Sequence, residues 1–396
     1  MGGNTVKKAV MYGAGNIGRG FIGQLLFESG YGTVFIDVND DIVNALNKRR
    51  SYPLRILSED VSSDLLIENV SAINGKDVGR CAAAIAEADL MATAVGAGIL
   101  PKIAPVIAAG LIQRHNLGGR PLDILVCENL KNAGIVFRDL IAKHLPNNVC
   151  EWFNGNVGLV DTSIGRMVPL QSPELLDGDP LRVCAEAYCT LPVDRDAFRS
   201  DVSDLRGMRR YSPFSYYVER KLYIHNMGHA LAAYCGDYMG YEYIWQSIGD
   251  PKIKSVVGKA MYSSADMLAL RYNSDRNELH AHVDDLMSRF ANRRLTDTVY
   301  RVGRDLRRKL APEDRMVCAL RACASAGTDT GRILLGIALA LRFTYNDLNM
   351  PAERILTEIC NISKDEPVYE SILGILYKAN SGIEFTALLE GVDGND

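Results

Sequence analysis

The sequence has nine cysteines (Cys81, Cys127, Cys150, Cys184, Cys189, Cys235, Cys318, Cys323 and Cys360) but no Cys-x-x-Cys pair. Scattered and odd in number, they argue against a disulfide framework and a thiolate zinc site, and they suit a reducing compartment. No apolar run reaches the ~20 residues of a membrane helix, and Met1 to Lys8 lacks the apolar stretch of a secretory signal, so a cytoplasmic location is expected. Charge of one sign is also scarce. A net charge of −4 gives the chain as a whole no electrostatic reason to bind nucleic acid or an anionic membrane, so any basic site must be local. Neither an internal repeat nor a low-complexity linker is present. The apolar fraction of 47% and charged fraction of 23% are those of an ordinary globular enzyme, and 396 residues exceed what one core commonly serves, so two domains are expected.

Residues 8–13 and 33–37 are short apolar runs, the first ending in glycine and the second in an acid, and both predict parallel strands. Between them Ile17, Phe21 and Leu25, with Ile22 and Leu26, repeat at helical spacing until Gly30 stops the helix. Further runs at 89–95 and 123–127, each followed by a helical stretch, extend this βαβ unit into a doubly wound α/β sheet. Residues 158–164 and 181–189 predict two more strands. From Ser212-Pro213 onward helical periodicity dominates to about residue 390, broken at 249–251 and 311–312. The expected division is therefore 1–195, a Rossmann-type dinucleotide domain, and 196–396, a mostly α-helical substrate domain.

The segment Gly13-Ala14-Gly15-Asn16-Ile17-Gly18 lies between the first strand and the first helix. In that place the first glycine permits the tight turn, the second lets the backbone approach a pyrophosphate, and the third lets helix and strand pack closely. Asp37 closes the next strand, where a carboxylate accepts hydrogen bonds from the adenosine ribose and repels a 2′-phosphate, favouring NAD over NADP. Thr93, Val95 and Gly96 follow a later strand and are expected to line the same crevice.

Within the helix starting near Pro213 lies Lys221-Leu222-Tyr223-Ile224-His225-Asn226-Met227-Gly228-His229. At about 100° per residue Lys221, His229 and Asn226 fall at roughly 0°, 80° and 140°, on one face. A lysine among apolar residues and beside a cationic nicotinamide has a depressed pKa, as a general base for an alcohol requires. A solvated helix face is the alternative reading of the cluster. His225 and His229 stand four apart, but the glutamate of the His-Glu-x-x-His zinc signature is missing, so no metal is expected.

Lys-x4-Asn-x2-His, here Lys221, Asn226 and His229, resembles the catalytic signature of the polyol-specific long-chain dehydrogenases. The similarity extends along most of the chain, through residues 13–23, Thr93 to Gly96, Cys127-Glu128-Asn129, Glu219 to Leu222, Asn226 to Ala230 and Arg301 to Asp305, and is greatest with the branch acting on mannitol 1-phosphate. The resemblance implies metal-independent hydride transfer with NAD. Lys221 would be the acid or base, Asn129 and Asn226 would donate to the oxygen that alternates between alcohol and carbonyl, and His229 would orient the substrate.

Residues 301–309 hold five cations in nine positions. Guanidinium forks suit phosphate oxygens, and the resemblance favours Arg301, Arg304 and Lys309 as substrate contacts, with Arg304 the phosphate candidate and a charged solvated face the alternative. Two positions depart from the family pattern: Gly165 stands where an acid usually helps hold substrate hydroxyls, and Arg293 replaces the proline after Asn292. The leading expectation is interconversion of mannitol 1-phosphate and fructose 6-phosphate. An unphosphorylated hexitol or sugar acid, and a non-catalytic NAD-binding sensor, remain open at this point, while a small-molecule polyol or sugar phosphate is the expected partner.

Overall fold

The structure, a computed structural model, describes residues 6–58, 62–201 and 205–393, the last three by backbone alone. It divides into two compact units, Met1–Ser215 and Tyr216–Asp396.

The first unit is built on six parallel strands, β1 (Lys7–Tyr12), β2 (Tyr31–Asp37), β5 (Val70–Asn74), β6 (Leu90–Thr93), β7 (Leu122–Val126) and β8 (Val157–Asp161), in the order β5-β2-β1-β6-β7-β8. Their sequences are nearly continuous apolar runs because helices cover both faces. In β1, Ala9 and Met11 pack on one side with Phe21, Leu25 and Phe35, whereas Val10 and Tyr12 pack on the other with Ile85, Ile103 and Ile107. On the first face lie α1 (Gly23–Glu28) and α2 (Asp40–Arg49); α3 (Val78–Glu87), α4 (Leu100–Asn116), α5 (Ala133–Ala142) and α6 (Asn147–Asn156) cover the second. The chain winds outward from β1 through β2 to β5, then returns to β6 and winds the other way. This reversal opens a crevice at the carboxyl ends of β1 and β6, where a doubly wound sheet holds its ligand.

Two smaller sheets complete the unit. β3 (Ser51–Leu57) and β4 (Ser63–Glu68) form an antiparallel pair, and β9 (Val183–Glu186) joins β3 in parallel after α7 (Pro173–Leu176). β10 (Leu191–Asp194) pairs in parallel with β11 (Met208–Tyr211), which draws residues up to 215 into the first unit and places the division after the expected 195.

The second unit is helical. It runs from α8 (Ser215–Arg220) through a π-turn (Lys221–Asn226) into α9 (Met227–Tyr238), then α10 (Ile244–Gly249), α11 (Pro251–Tyr272), α12 (Arg276–Phe290), α13 (Val299–Gly303), α14 (Leu306–Lys309), α15 (Arg315–Ala326) and α16 (Gly331–Arg342). The short α17 (Ala352–Arg354), α18 (Pro367–Asn380) and α19 (Phe385–Asp393) follow. Both expected breaks are capped helix starts: Asp250 accepts the Lys252 and Ile253 N–H groups ahead of α11, and Asp314 accepts that of Arg315 ahead of α15. No described helix is long and apolar enough to cross a membrane.

Candidate active site

In the first unit the glycine loop has the geometry a dinucleotide needs. Gly13 sits at φ +102°, and a Cβ there would lie 2.5 Å from the Ala94 carbonyl oxygen, so only glycine fits. A Cβ on Gly15, by contrast, would meet nothing within 4 Å, leaving the backbone open to an approaching pyrophosphate, and one on Gly18 would strike the Gly13 carbonyl. Asn16 and Ile17 open the following helix, which tightens its grip on the loop through Arg19. That buried guanidinium donates from Nε to the Ala14 carbonyl at 2.7 Å and from Nη1 to the Leu181 carbonyl, a support not apparent from the sequence.

Asp37 lies at the carboxyl end of β2 beside this loop. Its Oδ2 accepts the Ala14 N–H at 2.7 Å and its Oδ1 the Asn39 N–H at 3.0 Å, which fixes the carboxylate while leaving it half exposed. Asp37→Ser is therefore expected to narrow the ratio of kcat/KM for NAD over NADP by about 10-fold or more, since a buried-edge charge repulsion and one charge-assisted hydrogen bond are lost. A ratio that stays put would separate Asp37 from cofactor choice.

The loop after β6 is held by Glu128. The Val95 and Gly96 N–H groups, which could have faced an anion, are donated to the Glu128 carboxylate at 2.9 and 2.8 Å. Thr93 is buried and Gly96 takes φ +91°, with the Val95 and Gly96 N–H groups engaged by Glu128. Burial pushes the Glu128 carboxyl up, opposed by the Val95 and Gly96 N–H groups. Its neighbour Asn129 is exposed just past the end of β7, at the crevice edge of the sheet. Where the family pattern has an acid, the ring of Tyr188 lies 3.2 Å from the position a Gly165 Cβ would take, so an acidic side chain there would have to displace it.

In the second unit Lys221 opens the π-turn and Asn226 closes it. The Met227 N–H reaches back to the Leu222 carbonyl, one residue further than in an α-helix, so the 100° spacing does not hold from Lys221 to His229. Lys221 and Asn226 are half-buried, and His229 follows on α9 with its ring stacked on Phe290 at 4.7 Å. His229 Nε2 lies 3.7 Å from Oδ2 of Asp297, a buried carboxylate that also accepts from Arg301 Nη2. His225 is buried, 5.6 Å from the same Phe290 ring, and among the described residues no group of three metal-binding side chains exists.

Charge then accumulates around these groups. Burial pushes the Lys221 ammonium down to about 8, with Arg315 and Arg308 adding to the shift and Asp314 opposing it. Lys309, buried at the end of α14, is pushed down to about 7 by burial and by the same two arginines, and its Nζ donates to the Arg304 carbonyl. His229 is held well below the usual histidine range by burial, then by Arg301, Arg315, Lys309 and Arg289. The structure thus brings Lys221, His229, Arg301 and Lys309 into one electrostatic cluster, which Asn226 adjoins on the π-turn. Arg304 is not among them: its side chain is exposed, 5.8 Å from the Tyr300 ring centre, and only its carbonyl faces Lys309. Asp297 and Arg315 were not singled out from sequence. Each is a buried charge beside a signature residue, a property that spacing does not reveal.

Comparison with known proteins gives matches over both units. The families described as mannitol dehydrogenase Rossmann domain and mannitol dehydrogenase C-terminal domain match residues 7–207 and 214–360. Mannitol-1-phosphate 5-dehydrogenase of Brevibacillus brevis is 37% identical over 337 residues, 85% of this chain and 86% of that protein. Among solved structures, the Pseudomonas fluorescens mannitol 2-dehydrogenase ternary complex with NAD and D-mannitol shares the fold at a TM-score of 0.76 and 17% identity, covering 99% of this chain and 94% of the other. A D-sorbitol dehydrogenase in substrate-free form aligns at 0.74 and 17%, covering 98% and 92%.

Proposed function

The chain belongs to the mannitol dehydrogenase family, and from that premise we propose that it interconverts mannitol 1-phosphate and fructose 6-phosphate with NAD. The observation that carries the reading is the half-buried Lys221 at the start of the π-turn, in one electrostatic cluster with Arg315, Lys309 and Arg301, where burial and Arg315 push its ammonium down to about 8. Such a lysine exchanges a proton near neutral pH, and the surrounding charge suits an anionic substrate.

Bound NAD⁺ supplies the hydride acceptor, and the glycine loop with Asp37 fits it. Neutral Lys221 would take up the proton of the substrate hydroxyl and hold it as an ammonium, while the bound cofactor would accept the hydride from the same carbon, so that the alcohol is oxidised to a carbonyl. In the reverse direction the Lys221 ammonium returns that proton to the oxygen. The Asn226 amide donates to this oxygen as its negative charge grows, and Asn129 takes the second donor role that the family resemblance implies. His229, uncharged at neutral pH and fixed by Phe290 and Asp297, orients a neighbouring hydroxyl without adding a competing ionisation. Arg301 and Lys309 hold the rest of the chain of hydroxyls and its anionic end.

Initial rates of NADH oxidation with fructose 6-phosphate and with free fructose test this directly. Two charge-assisted hydrogen bonds to a phosphate correspond to a preference of at least about 100-fold in kcat/KM for fructose 6-phosphate. Equal rates with both sugars would reject the phosphorylated substrate while leaving the polyol chemistry in place.

A further inference from the structure

We propose that Arg315, rather than Arg304, is the anchor for the substrate's phosphate monoester, with Lys309 and Arg301 completing the anion site; the assignment rests on the phosphorylated-substrate reading above. It starts from the partners of the carboxylates. Asp297 is engaged by Arg301, and Asp305 by Arg308, whose Nε donates to Oδ2 at 2.6 Å. Asp314 is shared, accepting Arg308 Nη1 at 3.3 Å and Arg315 Nε and backbone N–H at 2.7 Å each. Every acid in the cluster is thus committed to an arginine. Lys309, buried, has only the Arg304 carbonyl, and Arg301 Nε is buried without a hydrogen-bond partner among the described residues. Buried cations left short of acceptors are costly unless an anion completes the site.

Arg315 is placed to receive that anion. It is 8% exposed, and with Nε fixed by Asp314 the two Nη groups form the edge that matches phosphate oxygens in a fork. One turn along α15, Cys318 Sγ meets Tyr223 Oη at 3.1 Å, which ties this helix to the π-turn two residues beyond Lys221. Arg315 accordingly lies within electrostatic reach of Lys221, His229 and Lys309 at once. Arg304 is placed otherwise, on the exposed side of the break between α13 and α14, against Tyr300.

The test compares Arg315→Met and Arg315→Lys with Arg307→Ala, an exposed arginine of the same basic segment. Each variant is assayed with NADH against fructose 6-phosphate and free fructose, with inorganic phosphate as competing probe. For Arg315→Met, kcat/KM for fructose 6-phosphate is expected to fall about 100-fold and that for fructose less than about 3-fold, as removal of a charged fork implies, with inhibition by phosphate weakened in parallel. Arg315→Lys keeps the charge and loses the fork, so it should lose about 10-fold on the phosphorylated sugar alone and retain phosphate inhibition in part; this holds whether or not the methionine variant folds. Arg307→Ala should match wild type. Equal losses on both sugars, or an unchanged preference, overturn the anchor. A wild type that neither prefers fructose 6-phosphate nor responds to phosphate overturns the phosphorylated-substrate reading itself and the anchor with it.

Discussion

Replacing Lys221 with alanine is expected to lower kcat by about 10²–10⁴-fold, the range that general acid–base catalysis supplies. Among the signature residues of the second unit, Lys221 alone both ionises near neutrality and adjoins an amide donor. Asn226 does not titrate, and His229 is held uncharged by burial and by the cations around it. NADH binding should survive, because the glycine loop and Asp37 belong to the first unit and are fixed by their own contacts. Fluorescence titration of NADH alongside steady-state rates separates the two effects. Near-normal turnover with NADH still bound would remove Lys221 from the mechanism.

Asp297→Ala is expected to destabilise the second unit strongly. Asp297 is buried, accepts from Arg301 and stands beside His229, so its removal leaves an arginine without its acceptor among other buried cations. Breaking one side of such a pair costs about 3–5 kcal/mol, which for a unit of this size lowers Tm by roughly 6–20 °C. Glu358→Ala, which removes the exposed Arg354–Glu358 pair at 2.7 Å, serves as the contrast and should shift stability by less than about 1 kcal/mol. Thermal unfolding of the two variants compares them directly, and equal small shifts would mean that Asp297 does not carry the charge balance of the cluster.

The parts of the fold that were legible are those in which one residue type has one use. Gly13 is required by a positive φ and a backbone in close approach, and β1, β2, β6 and β7 are mostly apolar because both their faces are covered. The β3–β4 pair is not legible in sequence: Pro53 lacks a backbone N–H and argues against a strand, and the buried positions Tyr52 and Leu54 are followed by Leu57, a three-residue step that breaks the alternation. The π-turn is invisible in sequence because the same side chains suit either winding, and only a shift of the backbone hydrogen bonds, such as that of the Met227 N–H to the Leu222 carbonyl, distinguishes them. The basic segment shows the same limit for the site. Its cations were legible as charge, but α13 ends at Gly303 and Asp305 takes φ +69°, so Arg304 and Lys309 do not share a helix face. Arg315, outside the densest run, reaches the cluster instead because Asp314 and the Cys318–Tyr223 contact position it. Glu128 was likewise present in a recognised motif, yet its hold on Val95 and Gly96 depends on a contact between two strand ends far apart in sequence.

Wild-type and Lys221→Ala enzymes assayed from about pH 6 to 10 give the most direct test of the mechanism. Oxidation needs the neutral amine, so wild-type kcat/KM for mannitol 1-phosphate should rise as pH climbs through an apparent pKa of about 8, and reduction of fructose 6-phosphate should fall over the same interval. His225 and His229 are held well below their usual range and contribute no step there, whereas Lys309 titrates at about 7 and is present in both enzymes. The account predicts that the step near 8 vanishes in Lys221→Ala, leaving at most the ionisation near 7 that Lys309 gives to both enzymes. The same step persisting in the variant would contradict the assignment of Lys221 as the acid and base.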